Sequence, residues 1–313
     1  MERIKKPKNK PNFLVVGVPK AGTSSLYSYL KEHPEVYLPE QKELHFFTNK
    51  ILQENTEGSG DKLALTTVIK KEEDYMSLYN GLKNQTVSGD ISPSYFFFAD
   101  QAIPAIKEYL GDDIKIIITL RDPIGRAFSN YLHQKRLLLE ALTFDQAILN
   151  EEKRKKNGYG DFWRYKEQSL YYEKCIKYID AFGKENVKII LFEDLIQNTE
   201  KEVKDIYTFL KIDNTFKPPN INEVFNKGGV YKKNKLTSFL LKPSKLKQFF
   251  LKIIGDRFIN SYRAFKSKVL EKNTESKPII EKQTIHTLKL YFKEDIKMLK
   301  TLNIDTTKWK YFK

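Results

Sequence analysis

Cysteine, metal-ligand patterns and long apolar runs are what this sequence lacks. Its 313 residues include one cysteine, Cys175, which excludes an internal disulfide framework and suits a reducing compartment. No run reaches the roughly 18–20 apolar residues of a membrane span, and the N-terminus has no apolar signal-peptide core. The four histidines, His33, His45, His133 and His286, show no metal-ligand spacing. These absences predict a cytoplasmic protein that requires no metal.

Positive charge, in contrast, is abundant. The formal net charge is +15, and residues 227–272 contain thirteen Lys and Arg residues against two acidic ones. Such a block indicates an anionic partner, which could be a phosphorylated cofactor, an anionic polymer or a membrane surface. The alternative interpretation is a solvated basic face. We predict a basic tail at 1–11 and one domain at 12–313, in which 226–275 forms a basic loop and a helical lobe.

Strand patterns alternate with helical patterns along most of the chain. This order predicts an α/β fold, with a P-loop-type central parallel sheet flanked by helices and a basic helical C-terminal region. Residues 49–70, centred on the polar run 57–60, are predicted to be a flexible insertion. The predicted strands are a Val-rich run that begins at Phe13, and the segments 86–90, 114–120 and 187–192.

A candidate anion-binding loop follows the first strand. Lys20 and Gly22 lie in this loop, and a helix begins at Thr23, so backbone N–H groups and a lysine point to an anion. In a nucleoside-triphosphate P-loop the lysine directly follows the second glycine, but Thr23 occupies that position here. The displaced lysine argues against an ATPase or kinase and favours a nucleotide with a shorter anionic group at its 5′ end.

Arg121 and Ser129 are a second pair of candidate anion contacts. Arg121 follows the strand 114–120, at the edge where open parallel sheets bind ligands, and Ser129 lies two turns into the next helix. An arginine and a hydroxyl in this arrangement can hold a phosphate. The alternatives are an ion pair between Arg121 and Asp122, and a serine that is merely tolerated within a helix.

Glu43 and His45 are candidates for proton transfer. In an extended segment, residues two apart lie on the same face, and a carboxylate there can act as a general base. The alternative is that Glu43 lies on the surface and that His45 packs with Phe46 and Phe47 in an aromatic cluster.

Together these segments resemble the conserved motifs of sulfotransferases, which use 3′-phosphoadenosine 5′-phosphosulfate (PAPS) and release 3′,5′-diphosphoadenosine (PAP). The resemblance covers nearly the whole chain and is greatest to the heparan-sulfate-type branch and its soluble bacterial relatives. The segments that carry it are 19–26, 42–47, 90–95, 120–131, 192–195 and 226–233.

The resemblance implies transfer of a sulfuryl group to a hydroxyl of a carbohydrate, lipid or small metabolite, by in-line displacement without a metal. It implies that Arg121 and Ser129 hold the 3′-phosphate, beneath a basic loop at 226–233. The implied contacts to the 5′-phosphosulfate are Lys20, Ala21, Gly22, Thr23, Ser24 and Ser25, and those of the basic loop are Gly229, Tyr231, Lys232 and Lys233.

The resemblance also implies the catalytic roles. Glu43 matches the catalytic glutamate of the heparan-type branch, whereas His45 is either the rival base or a residue that orients the acceptor. Lys20 is expected to stabilise charge on the bridging oxygen. The residues expected to line the acceptor side are His45, Asp90, Ser92 and Tyr95.

Two positions depart from the heparan-type pattern, and two other function classes stay open. Ser24 and Ile91 stand where heparan-type enzymes often carry arginine and lysine, which argues against a heparan-like acceptor. A P-loop nucleoside or metabolite kinase is the first alternative. The second is a non-enzymatic basic module that binds a membrane or nucleic acid, with 236–255 as a possible peripheral membrane contact. For the enzyme we expect no nucleic-acid partner.

Overall fold

The computed structural model describes residues 10–223, 230–232, 234–241, 261–262, 265–266, 268–270 and 272–313. The predicted contacts at Gly229 and Lys233 lie outside the described residues, as do nearly all of the basic tail 1–11 and most of the candidate membrane contact 236–255. No helix within the described ranges is long and apolar enough to cross a membrane.

A five-stranded parallel sheet forms the centre of the fold, with the strand order β2-β3-β1-β4-β5. Every residue of β1 and β3 is buried, because helices cover both faces of the sheet. The predicted α/β class with a central parallel sheet is confirmed, whereas β2 is a short strand that the sequence did not indicate. The strands are β1 (Phe13–Gly17), β2 (Val36–Tyr37), β3 (Val87–Ile91), β4 (Lys115–Leu120) and β5 (Val187–Leu191), with β6 (Val230–Tyr231) and β7 (Thr274–Glu275) forming a separate antiparallel pair.

Helices occupy both faces of the sheet and make two hydrophobic clusters. One cluster joins Leu26 and Leu30 to Val203 and Ile206, and the other includes Trp309. The helices of the described ranges are α1 (Thr23–Lys31), α2 (Asn49–Leu52), α3 (Asp61–Ala64), α4 (Glu72–Ser77), α5 (Ser94–Phe97), α6 (Ala99–Leu110), α7 (Pro123–Arg136), α8 (Phe144–Leu149), α9 (Glu151–Lys156), α10 (Tyr172–Phe182), α11 (Phe192–Gln197), α12 (Thr199–Leu210), α13 (Lys235–Leu241) and α14 (Lys282–Leu299).

The segment 49–70, which the sequence predicts to be a flexible insertion, carries secondary structure and a buried polar group. It contains α2, α3 and a 3₁₀ turn at Leu65–Thr67, and the carboxylate of Asp61 within it is buried. That carboxylate accepts hydrogen bonds from the indole of Trp163 (2.9 Å) and the backbone N–H of Gly160 (2.7 Å). These partners lie about a hundred residues further along the chain, so the local sequence gives no sign of them.

Candidate active site

A cleft of about 900 Å³ opens where the strands of the sheet end. Its lining includes Lys20 after β1, Ser94 after β3, Arg121 after β4 and Glu193 after β5. The carboxyl ends of parallel strands meet at one edge, which is the usual ligand site of open α/β sheets. The cleft therefore brings together side chains that are far apart in the sequence.

The loop between β1 and α1 has a backbone that suits its glycine. Gly22 caps α1 with a φ of 88°, and a Cβ there would lie 3.0 Å from the side chains of both Leu195 and Phe192. Lys20 has a φ of 71°, although it is not a glycine. The N-terminus of α1 begins at Thr23 and borders the cleft, so its free N–H groups lie where an anion would bind.

Most of the predicted contacts in this loop line the cleft, and one does not. Ala21 is fully buried. The hydroxyl of Ser24 accepts a hydrogen bond from the ammonium of Lys42 at 2.8 Å, which brings a further cation to the start of α1. The predicted contacts that line the cleft are Lys20, Gly22, Thr23, Ser24 and Ser25.

The ammonium of Lys20 feels the positive charges of neighbouring guanidinium groups. Burial and the guanidinium of Arg136, with a further contribution from Arg121, lower the pKa of Lys20 to about 8. Burial and the charges of Lys20 and Arg136 hold the pKa of His133 at about 3, so this ring is neutral at pH 7. His133 and Ser129 both line the cleft, and their spacing of four residues on α7 places them on one helix face. That spacing is the signal by which the sequence could have indicated His133.

Arg121 is held at the cleft by its backbone and its guanidinium. The guanidinium donates to the carbonyl of Lys20 at 2.9 Å and stacks 4.4 Å from the ring centre of Phe192. The carbonyl of Arg121 accepts from the Tyr171 hydroxyl at 2.9 Å. The carboxylate of Asp122, the alternative partner, caps α7 through two backbone N–H groups at 3.0 Å.

Glu43 and His45 meet at the cleft, but in turns rather than in the extended segment that we expected. Their φ angles are 56° and 53°. The closest oxygen of Glu43 lies 4.0 Å from Nε2 of His45, and the Glu43 side chain is 45% exposed. The Nδ1 atom of His45 is 2.6 Å from the Ser94 hydroxyl, and burial lowers the pKa of this imidazole. A neutral histidine and an accessible carboxylate therefore stand side by side.

Asp90, Ser92 and Tyr95 do not line the cleft, contrary to prediction. All three are buried, and the carboxylate of Asp90 accepts from Ser92 (2.6 Å), Tyr95 (2.7 Å) and Tyr75 (3.1 Å). The Ser92 oxygen in turn accepts the backbone N–H of His45 at 3.0 Å. Burial raises the pKa of Asp90 to about 6. These residues support the turn that carries the candidate base, because their polar atoms are occupied by one another.

The C-terminal segment completes one end of the cleft, which the sequence did not indicate. Lys310 and Tyr311 line it, and the Tyr311 N–H donates to Asp122 at 2.8 Å. By contrast, Tyr231 and Lys232, which were predicted to fold over the 3′-phosphate, do not contribute to the lining, and Lys232 is exposed.

Within the ranges given above, no three or more His, Cys, Asp or Glu side chains are placed to hold a metal ion.

Known proteins resemble this chain in sequence and in fold. A model of the sulfotransferase family matches residues 11–217. Carbohydrate sulfotransferase 15 of Mus musculus is 26% identical over 254 residues, covering 64% of this chain and 44% of that protein. Heparan sulfate glucosamine 3-O-sulfotransferase 3B1 of Homo sapiens is 26% identical over 207 residues, covering 65% and 46%. The chain thus spans less than half the length of either relative. A sulfotransferase structure from Alicyclobacillus acidocaldarius has 33% identity and a TM-score of 0.64, covering 78% of this chain and 92% of that one.

Proposed function

Because the chain belongs to the sulfotransferase family, we propose that it transfers a sulfuryl group from PAPS to the hydroxyl of an acceptor. The observation that carries the proposal is that Lys20, Glu43 and Arg121 line one cleft. A kinase would need a lysine directly after Gly22, and Thr23 is there instead.

One end of the cleft, lined by Lys20, Arg121 and Ser129 and here called the donor end, fits an anionic nucleotide. The low pKa of Lys20 arises from burial and from neighbouring guanidinium groups, so the site carries positive potential that a bound anion would neutralise. The free N–H groups at the start of α1 and Lys20 suit the 5′ group, while Arg121 and Ser129 suit the 3′-phosphate. When bound, PAPS supplies the sulfuryl group and a leaving phosphate.

The reaction needs a base and a cation on opposite sides of the transferred group. Glu43 accepts the proton of the acceptor hydroxyl while the new bond forms between that oxygen and sulfur. The ammonium of Lys20 stabilises the negative charge on the bridging oxygen as its bond to sulfur breaks. We propose that His45, whose neutral ring is hydrogen-bonded to Ser94, orients the acceptor hydroxyl.

The proposal is tested first by ligand-dependent stability. We expect PAP at about a hundred times its dissociation constant to stabilise the protein by roughly 3 kcal/mol, and Mg²⁺–ATP to have a much smaller effect. Loss of one hydrogen bond to a charged phosphate in Ser129→Ala is expected to weaken PAP binding about tenfold or more. Ser28→Ala, which removes a serine of α1 that does not line the cleft, is the matched control. Stabilisation by Mg²⁺–ATP but not by PAP would support the kinase alternative.

A further inference from the structure

The segment 49–70 forms the wall of the cleft beside the candidate base. Its last residues run along the segment before His45: the amide of Gln41 donates to the Thr67 carbonyl at 2.6 Å, and the Ile69 N–H donates to the Leu44 carbonyl at 2.9 Å. Its first helix, α2, follows the 3₁₀ turn that begins directly after His45. Glu43 and this segment line the same cleft, so an acceptor whose hydroxyl reaches Glu43 has room to lie against the segment.

The surface that this wall and its neighbours present to the cleft is largely apolar. Helix α7 adds two apolar side chains to the lining, and the 3₁₀ turn Asp161–Trp163 adds one. Most of these side chains are only half-buried, so they retain apolar surface that a ligand can cover. The larger apolar side chains of this surface are Leu52, Leu65, Val68, Phe128, Leu132 and Phe162.

The described residues between 49 and 70 contribute no basic side chain to the lining of the cleft. Its acidic side chain there is Asp61, whose carboxylate is buried, and Asp161 outside the wall is buried as well. Lys62 lies outside the lining, 3.7 Å from Glu57. A sulfated or uronate-rich glycan needs rows of lysine and arginine, which this wall does not provide.

The lining cations group mainly at the donor end. The guanidinium groups of Arg121 and Arg136 lower the pKa of Lys20. Lys310 is next in sequence to Tyr311, whose N–H donates to Asp122. Lys277 is the remaining cation among the described lining residues, and it is exposed.

Hydrogen bonds hold the wall in place, so its shape does not depend on a bound acceptor. One oxygen of Asp61 accepts the N–H groups of Gly58 (2.8 Å) and Gly160 (2.7 Å), and the other accepts the indole N–H of Trp163 (2.9 Å). Three donors on one buried carboxylate fix the segment against the 3₁₀ turn that carries Phe162. A preformed surface can discriminate between acceptors by shape and polarity.

We propose that the acceptor is an uncharged hydroxyl compound with an apolar body, an alkyl or aryl chain, which lies along this wall with its hydroxyl at Glu43. The inference rests on the proposed function, since it assumes that the cleft binds an acceptor. It departs from the relatives, one of which is named for heparan sulfate.

The test is binding of alkyl β-D-glucosides with chains from methyl to octyl, measured by calorimetry on the full chain saturated with PAP and below the micelle concentration. We expect the dissociation constant to fall about fourfold for each added methylene. Leu65→Ser is expected to raise the octyl glucoside constant about tenfold and to leave the methyl glucoside constant unchanged. Leu63→Ser is the matched control, since Leu63 lies in the same segment but is 40% exposed and outside the lining.

The two possible failures are distinguishable. Dissociation constants that do not change with chain length, or tighter binding of a heparin-derived oligosaccharide than of octyl glucoside, would overturn the inference. A chain-length dependence that Leu65→Ser abolishes supports the apolar site, even if labelled sulfate is never transferred. Failure of both PAP binding and sulfate transfer counts against the proposed function instead.

Discussion

Replacing Lys20 with methionine is expected to stabilise the folded protein at pH 7 while it removes turnover. Burial and the Arg136 guanidinium lower the pKa of Lys20 from 10.5 to about 8. At about 1.4 kcal/mol per pH unit, keeping this ammonium charged in the folded state costs up to roughly 3 kcal/mol, less the part that water screens. Methionine has a similar length and takes the same φ of 71°, so backbone strain is unchanged by the substitution.

The sign of the pH dependence follows from the lowered pKa. Below pH 8 both the folded and the unfolded chain carry the ammonium, so the full cost is present. Between pH 8 and 10.5 the folded protein releases the proton first, and above 10.5 the cost disappears. The stability difference between Lys20→Met and the unchanged protein should therefore be large at pH 7 and small at pH 10.5.

Scanning calorimetry without ligand measures this difference. We expect Lys20→Met to melt roughly 5 °C higher than the unchanged protein at pH 7, with a smaller gap at pH 10. Lys50→Met, at an exposed position on α2 outside the lining, is the control and should change little. For the unchanged enzyme, kcat/KM should fall above about pH 8 as Lys20 loses its proton. A variant that is no more stable at pH 7, or equally stabilised at both pH values, would refute the reasoning.

Three further substitutions test the surroundings of the cleft. Asp61→Asn leaves at least one of three buried N–H donors unpaired and should lower stability by about 2 kcal/mol in denaturant titration. Asp90→Asn weakens the support of the turn that carries His45 and should lower kcat about tenfold at unchanged PAP affinity, by steady-state kinetics and calorimetry. Lys310→Met removes a cation from the donor end and should weaken PAP binding severalfold in calorimetry, whereas Lys313→Met should not.

The parts of the site that the sequence predicts are those that follow strand ends. Lys20 and Gly22 lie directly after β1, and Arg121 lies directly after β4, so a parallel sheet is enough to bring them to one edge. The position of Ser129 could be predicted as well, because it lies on the helix that begins two residues after Arg121. Local patterns of this kind need no knowledge of distant contacts.

The parts that the sequence could not predict depend on distant partners or on unusual backbone angles. Asp61 is fixed by Trp163, which is 102 positions away, and Tyr311 reaches Asp122 across 189 positions. No residue pattern marks such pairs. The positive φ of Glu43 could not be predicted either, because non-glycine residues seldom adopt such an angle and no residue type marks the positions that do.

The measurement that tests the central claim most directly is sulfate transfer by Glu43→Gln. With ³⁵S-labelled PAPS and an accepted hydroxyl compound, the unchanged protein should yield labelled product. Glu43→Gln should transfer sulfate at about a hundredth of that rate or less. It should bind PAP normally, since glutamine keeps the shape of the side chain and removes only the base. Glu40→Gln, on an exposed side chain outside the lining, should keep full activity. Undiminished transfer by Glu43→Gln would contradict the account and move the proton-accepting role to His45.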